Sequence, residues 1–172
     1  MKNQRAAYIY AILAILAWSS VSTAFKLSLE YLTPLGLLFF SSITASAFLL
    51  FINLFSTEKS NIGQSGFFHN IRLSLIPGFL NPFLYYLLLF YAYDRLRAQE
   101  AQVLNYTWAI VLAVMSIVIL KERFRLRDLL ALLISFFGVL IISSKGSFTQ
   151  MKFDNPLGSI LALSSSLVWA SY

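Results

Sequence analysis

Ser19, Ser22, Thr23 and Lys26 fall at i, i+3, i+4 and i+7, so they share one face of a helix. Asn81 and Tyr85 are four residues apart and Asn105 and Trp108 three, so each pair also shares a face. These hydroxyls, carboxamides and aromatic rings are set in long apolar runs. Such groups bind and orient a molecule; they do not hydrolyse or oxidise one. We take Trp18, Ser22, Asn81, Tyr85, Asn105 and Trp108 as the candidate site, gathered around a central cavity, because a polar group deep in apolar surroundings needs a partner or water. The Trp and Tyr faces would also suit aromatic or cationic molecules.

Other chemistry finds little material. The chain has no cysteine, so it has no disulfide, thiolate or Cys-ligated metal. Its single histidine, His69, cannot build a metal site or an acid–base dyad alone. No HExxH or GxSxG pattern occurs. Glu30, Glu58, Asp94, Glu100, Glu122, Asp128 and Asp154 all fall at or near the ends of apolar runs. An enzyme working inside a bilayer needs a nucleophile–base pair, paired aspartates or metal ligands there. No enzyme activity, metal or cofactor is expected.

The elements that must position the site are membrane spans. The 172 residues are 59% hydrophobic and 12% charged, with a mean hydropathy of +0.75. A soluble domain is nearer 45–50% apolar and about 25% charged. Apolar runs cover about 7–27, 34–55, 71–91, 101–120 and 129–144, and a sixth starts at Pro156 and reaches Tyr172. A helix of about 20 residues rises roughly 30 Å, the thickness of the hydrocarbon core. The expected fold class is all-α: a polytopic membrane protein with a five-helix transmembrane repeat and a shorter, truncated sixth helix. The first run follows Lys2 and Arg5 as a signal peptide would, but it continues to Phe25, too long for a signal core.

Details of each run carry further expectations. Along the first, the Ser/Thr side chains either bond their own backbone while Lys26 snorkels to the surface, or line a water-filled path. Pro34 suits the first turn of the second helix. Ser41, Ser42, Ala45, Ser46 and Ala47 there, and Ser135 with Gly138 in the fifth, read as close-packing spots. Pro77-Gly78 and Asn81-Pro82 interrupt the third run; broken helices serve transporters as substrate sites. Tyr91 and Tyr93 read as an interfacial aromatic belt. Glu100 suits the positive first turn of the fourth helix.

The net charge of +6 sits mostly at helix ends, where Lys and Arg set orientation, so a nucleic-acid partner is not implied. The knot Lys121, Glu122, Arg123, Arg125, Arg127 and Asp128 reads as a cytoplasmic turn. That places the N-terminus in the cytoplasm and Lys26, Arg95, Arg97, Lys145 and Lys152 outside, in a multi-pass protein of the cell membrane.

The sixth run resembles the first. With Trp169 set over Trp18, an offset of 151 residues, Ile160 falls on Ile9, Ala162 on Ala11 and Ser171 on Ser20. An odd number of spans per unit inverts the second copy, a recurrent transporter architecture. The expected organisation is a first repeat at 7–144, a loop at 145–155, and the start of a second, inverted repeat at 156–172, the chain being the first half of a longer protein.

Several residues carry a family resemblance: Ala17-Trp18-Ser19-Ser20, Pro34, Leu104-Asn105-Tyr106-Thr107-Trp108, and Leu120-Lys121-Glu122-Arg123-Phe124 followed by Gly138-Val139-Leu140-Ile141. In these the chain resembles the EamA type of the drug/metabolite transporter superfamily. It departs at Ser41 and Ser42, where the family often has an arginine, and at Ala109, where it often has a proline. The resemblance implies a ten-helix secondary transporter, an exporter of small organic metabolites or drugs by alternating access; the six site residues, chosen above on physical grounds, would then be its substrate pathway. Its expected partners are a small-molecule substrate, the lipid bilayer and the second half of its own chain, a homodimer paired through faces such as Ser42/Ser46 being the alternative assembly. The competing reading is a structural or assembly membrane protein without transport.

Overall fold

A computed structural model describes residues 4–55, 64–119, 121, 126–143 and 155–172. The helices are α1 (Gln4–Leu29), α2 (Pro34–Phe55), α3 (Gln64–Gly78), α4 (Tyr85–Arg95), α5 (Ala98–Asn105), α6 (Trp108–Ile119), α7 (Leu126–Ser143) and α8 (Pro156–Ser171). A π-helical segment, Phe79–Leu84, joins α3 to α4. The protein is an all-α polytopic membrane protein. Four stretches, Ala6–Leu29, Pro34–Phe55, Ile71–Arg95 and Ala98–Ile119, are long and apolar enough to cross a bilayer, and α7 and α8 carry shorter apolar stretches.

α4 is the centre of the packing. One of its faces, Tyr85, Leu89, Ala92 and Tyr93, packs with Leu96, Ala101 of α5 and Ala162 of α8. Phe90 packs on Leu37 and Leu38 of α2. Phe25 of α1 bridges the two groups, edge-on to Phe90 and Tyr93 with ring centroids 4.8 and 5.7 Å away. The described buried residues thus gather from mid-span to the end where α1 finishes, α2 begins and α4 meets α5. Away from it, Leu13, Leu16, Phe51, Leu54, Ile76 and Val118 turn outward, as lipid-facing side chains do.

α8 sits against α4 because its facing side is small. Gly158, Ala162, Ser166 and Ala170 recur every fourth residue and are all buried. Small residues let helix backbones approach closely. A Cβ on Gly158 would lie 2.8 Å from Leu96 Cγ and 3.1 Å from Arg95 Cβ. Asn155 caps this helix, its side chain accepting from the Gly158 N–H at 2.9 Å, and Pro156 takes the first turn.

Several sequence expectations change. The fourth run is not one helix: it turns at Tyr106–Thr107, where the Thr107 hydroxyl donates to the Leu104 carbonyl at 2.7 Å. Such a bond offers the backbone an alternative to the helical ladder. In the third run α3 carries Pro77 within it, and the break falls at Asn81, with φ −139° and ψ 119°. The residue before a proline is driven out of the α region; Asn81 obeys this before Pro82. Ser41, Ser42, Ala45, Ser46 and Ala47 are exposed rather than packed, because α2 touches α4 through its first turns, at Leu37 and Leu38. A Cβ on Gly138 would meet nothing within 4 Å, so that glycine makes no close contact among the described residues. Tyr93 is not an interfacial residue: it is 1% exposed, and its hydroxyl donates to Gln102 Oε1. The charged residues Glu122, Arg123 and Arg125, the loop residues Lys59, Lys145 and Lys152, and the Ser135 side chain lie outside the described residues.

Candidate functional site

Both broken spans open onto one cleft of about 350 Å³. α1 supplies Trp18, Val21 and Phe25, which recur along one face. α4 supplies Tyr85, Tyr86, Leu89 and Tyr93, and α5 supplies Gln102 and Asn105. The turn and the start of α6 add Tyr106 and Trp108, and α8 adds Trp169. The volume lies within the range of small-molecule sites, which are apolar with a few placed polar groups.

Of the six sequence-expected residues, Trp18, Tyr85, Asn105 and Trp108 line this cleft. Ser22 is half-buried on α1 and Asn81 half-buried at the helix break, and neither is part of the lining.

The polar groups at the back of the cleft are tied together. Asn105 Nδ2 donates to the Tyr85 hydroxyl at 3.2 Å. The Ser165 hydroxyl lies 3.3 Å from Asn105 Oδ1 and also donates to the Ala162 carbonyl at 2.7 Å. At the next residue of α8, the Ser166 hydroxyl is 2.8 Å from that of Thr107. Asn105 therefore joins α5 to α4 and α8 in one step. Among the described residues no buried side-chain nitrogen or oxygen lacks a hydrogen-bond partner, as burial in a low-dielectric interior demands.

The rings are packed edge and tilt. Trp169 lies 5.1 Å from Tyr85 and 6.2 Å from Trp108, centroid to centroid, the second pair near perpendicular at 73°. Trp18 is 68% exposed, so one of its faces is uncovered at the mouth. Among the described residues, no acidic or basic side chain is part of the lining. Lys26, next to Phe25, neither snorkels nor faces the cleft: its ammonium donates to the carbonyls of Tyr93 at 2.7 Å and Leu96 at 3.0 Å. Glu100 stays in the first turn of α5 and pairs with Arg97, whose Nε donates to it at 2.8 Å. Among the described residues no three His, Asp or Glu side chains converge on a point that could hold a metal ion.

Sequence reasoning missed Tyr86, Tyr93, Gln102, Tyr106, Ser165, Ser166 and Trp169. One signal for Trp169 was present: it aligns over Trp18, and the two tryptophans line the same cleft. The run Ser164-Ser165-Ser166 before it marks the small face of α8.

A model of the EamA-like transporter family matches residues 5–144. The chain is 26% identical over 165 residues to an uncharacterized transporter of Archaeoglobus fulgidus. That match covers 96% of this chain and 55% of the relative, so the chain spans about half the relative's length. No solved structure matches.

Proposed function

Because the chain belongs to the EamA-like transporter family, we propose that it builds one wall of an alternating-access pathway that exports small organic molecules from the cytoplasm. Membership makes it a membrane transport protein and argues against an enzyme. In our reading it sits in the plasma membrane with its N-terminus inside. Residues 7–144 form a five-helix unit, 145–155 a connecting loop, and 156–172 the opening of a second, inverted unit whose remainder supplies the facing wall.

One observation carries this reading. The two spans that break, at Asn81 and at Tyr106–Thr107, border the same aromatic cleft with Asn105 at its back. Irregular backbone at membrane depth is tolerated where protein or water satisfies it, and transporters place substrates there. Trp18, Tyr85, Asn105 and Trp108 would contact the substrate. Ser22 and Asn81 would enter the path only as helices move.

The test is efflux from an export-deficient strain challenged with amino acids, purines and toxic amines. The chain joined to its second unit should lower accumulation of one class, and the 172-residue chain alone should insert without transporting. Asn105→Leu should cut transport per molecule while membrane abundance stays near normal. Efflux unchanged in that variant would remove Asn105 from the pathway. Absence of efflux from the chain both alone and joined to its second unit would sink the transport reading.

A further inference from the structure

We propose that this cleft selects aromatic monocations, small molecules carrying one planar ring and one ammonium or quaternary nitrogen; the assignment rests on the transport reading above and names its substrate class. All three tryptophans of the chain, Trp18, Trp108 and Trp169, line the cleft, joined by Tyr85, Tyr86 and Tyr106. Ring faces carry negative potential and attract a cation, with Trp the best partner. They also stack on another ring.

The charges around the cleft narrow the choice. Among the described residues, no Asp, Glu, Lys, Arg or His is in the lining. An anion would enter without a cationic partner, and an uncompensated ion in such a site costs several kcal/mol. The one cation next in sequence to a lining residue, Lys26, is turned onto the Tyr93 and Leu96 carbonyls. The acid nearest in sequence on α5, Glu100, is paired with Arg97. A dication would need a carboxylate that the lining lacks, whereas a single diffuse charge is within reach of π faces. The Asn105 carboxamide, engaged with Tyr85 and Ser165, offers a neutral polar contact at the back of the cleft, and the rings supply the selectivity for charge.

Because every tryptophan lines the cleft, intrinsic Trp emission reports on it directly, without transport. The purified chain in detergent is titrated with benzyltrimethylammonium and three matched probes: benzyl alcohol without the charge, phenylacetate with the opposite charge, and cyclohexylmethyl-trimethylammonium without the ring. Benzyltrimethylammonium should change the emission saturably, and each matched probe should bind about tenfold more weakly or worse, as loss of one cation–π or stacking contact implies. Trp108→Leu should weaken binding of the aromatic cation and Trp108→Phe should retain it. If Trp108→Leu misfolds, Tyr106→Leu, at a more exposed ring, takes its place. Benzyl alcohol or phenylacetate binding as tightly would overturn the cation assignment and leave transport standing. No response to any probe would overturn the cleft as a binding site, whereas failure of the transport reading is seen separately, in the efflux assay.

Discussion

The ammonium of Lys26 lies 2.7 Å from the carbonyl oxygen of Tyr93, a residue 67 positions further along the chain. It also reaches the Leu96 carbonyl, just past the end of α4. The last carbonyls of a helix have no partner of their own, and a cation there completes them and favours the negative end of the helix dipole. A lysine within a span thus becomes the tie between α1 and the α4–α5 turn, the end at which the protein is packed.

Lys26→Met should therefore destabilise the protein. Hydrogen bonds to a charged group are worth about 1.5–3 kcal/mol each, and half-burial with the usual solvent exchange reduces the sum, so we expect a loss of about 1–3 kcal/mol. Lys26→Arg should recover much of it. Thermal unfolding in detergent, followed by Trp emission, measures both. A Met variant as stable as the parent would show that the tie contributes nothing.

Gly158 makes a second, steric prediction. Any side chain there meets Leu96 and Arg95, both held at the end of α4. Overpacking of this kind costs typically 1–3 kcal/mol, and Gly158→Ala should show it. Removing the obstacle should relieve the clash: Leu96→Ala should cost less in the Gly158→Ala background than alone. The Arg95 Cβ, at 3.1 Å, keeps the relief partial. Additive effects in this double-mutant cycle would mean that α8 does not pack where the structure puts it.

Much of this was legible in the sequence. Apolar runs of span length gave the helices, Pro82 gave the break, and Asn105 and Trp108 stood out as polar or amphipathic groups too deep to be idle. Three things were not legible, each for a physical reason. Periodicity ranks helix faces but does not pair them, so the exposed stripe at Ser42/Ser46 and the buried stripe at Gly158/Ala162/Ser166 look alike until a partner helix is present. The end of α4 offers Lys26 its carbonyls only after folding, so a snorkelling lysine and a tying lysine are the same letter. Tyr93, close to the end of a span, reads as interfacial because its partner Gln102 comes from the following helix.

The network behind the cleft predicts coupling. Asn105 Nδ2 donates to the Tyr85 hydroxyl at 3.2 Å, and both side chains are buried. Asn105→Leu leaves that hydroxyl without its partner, which costs about 1–3 kcal/mol, whereas Tyr85→Phe removes the other half of the same bond. The double variant should be less destabilised than the sum of the two by about 0.5–1.5 kcal/mol. Ser165→Ala should matter less, since that hydroxyl keeps its bond to Ala162 in the parent and leaves no buried donor behind when removed. Unfolding midpoints of the four variants decide it; strict additivity of Asn105 and Tyr85 would refute the contact.

Orientation in the membrane is testable at two exposed positions. Tyr31, between α1 and α2, is 87% exposed and belongs to the end where Lys26 meets Leu96. Lys121 is exposed beyond α6, at the opposite end, and its φ of 53° marks a turn. Arg72 lies near the start of the third span and Arg127 follows Lys121, so both belong to the Lys121 end, whereas Lys26, Arg95 and Arg97 belong to the other. Positive residues in short loops near span ends favour the cytoplasm. Lys26 is bound to carbonyls, Arg95 pairs with Asp94 at 3.6 Å and covers the Tyr91 ring, and Arg97 pairs with Glu100, so these three described cations are engaged locally. In our reading the cluster of positive residues around Lys121 assigns that end to the cytoplasm. The chain has no cysteine, so each introduced one is labelled alone. In intact cells a membrane-impermeant thiol reagent should modify Tyr31→Cys and spare Lys121→Cys, and both should react once the membrane is opened. The reverse pattern would invert the protein in the membrane and place the cleft's packed end inside.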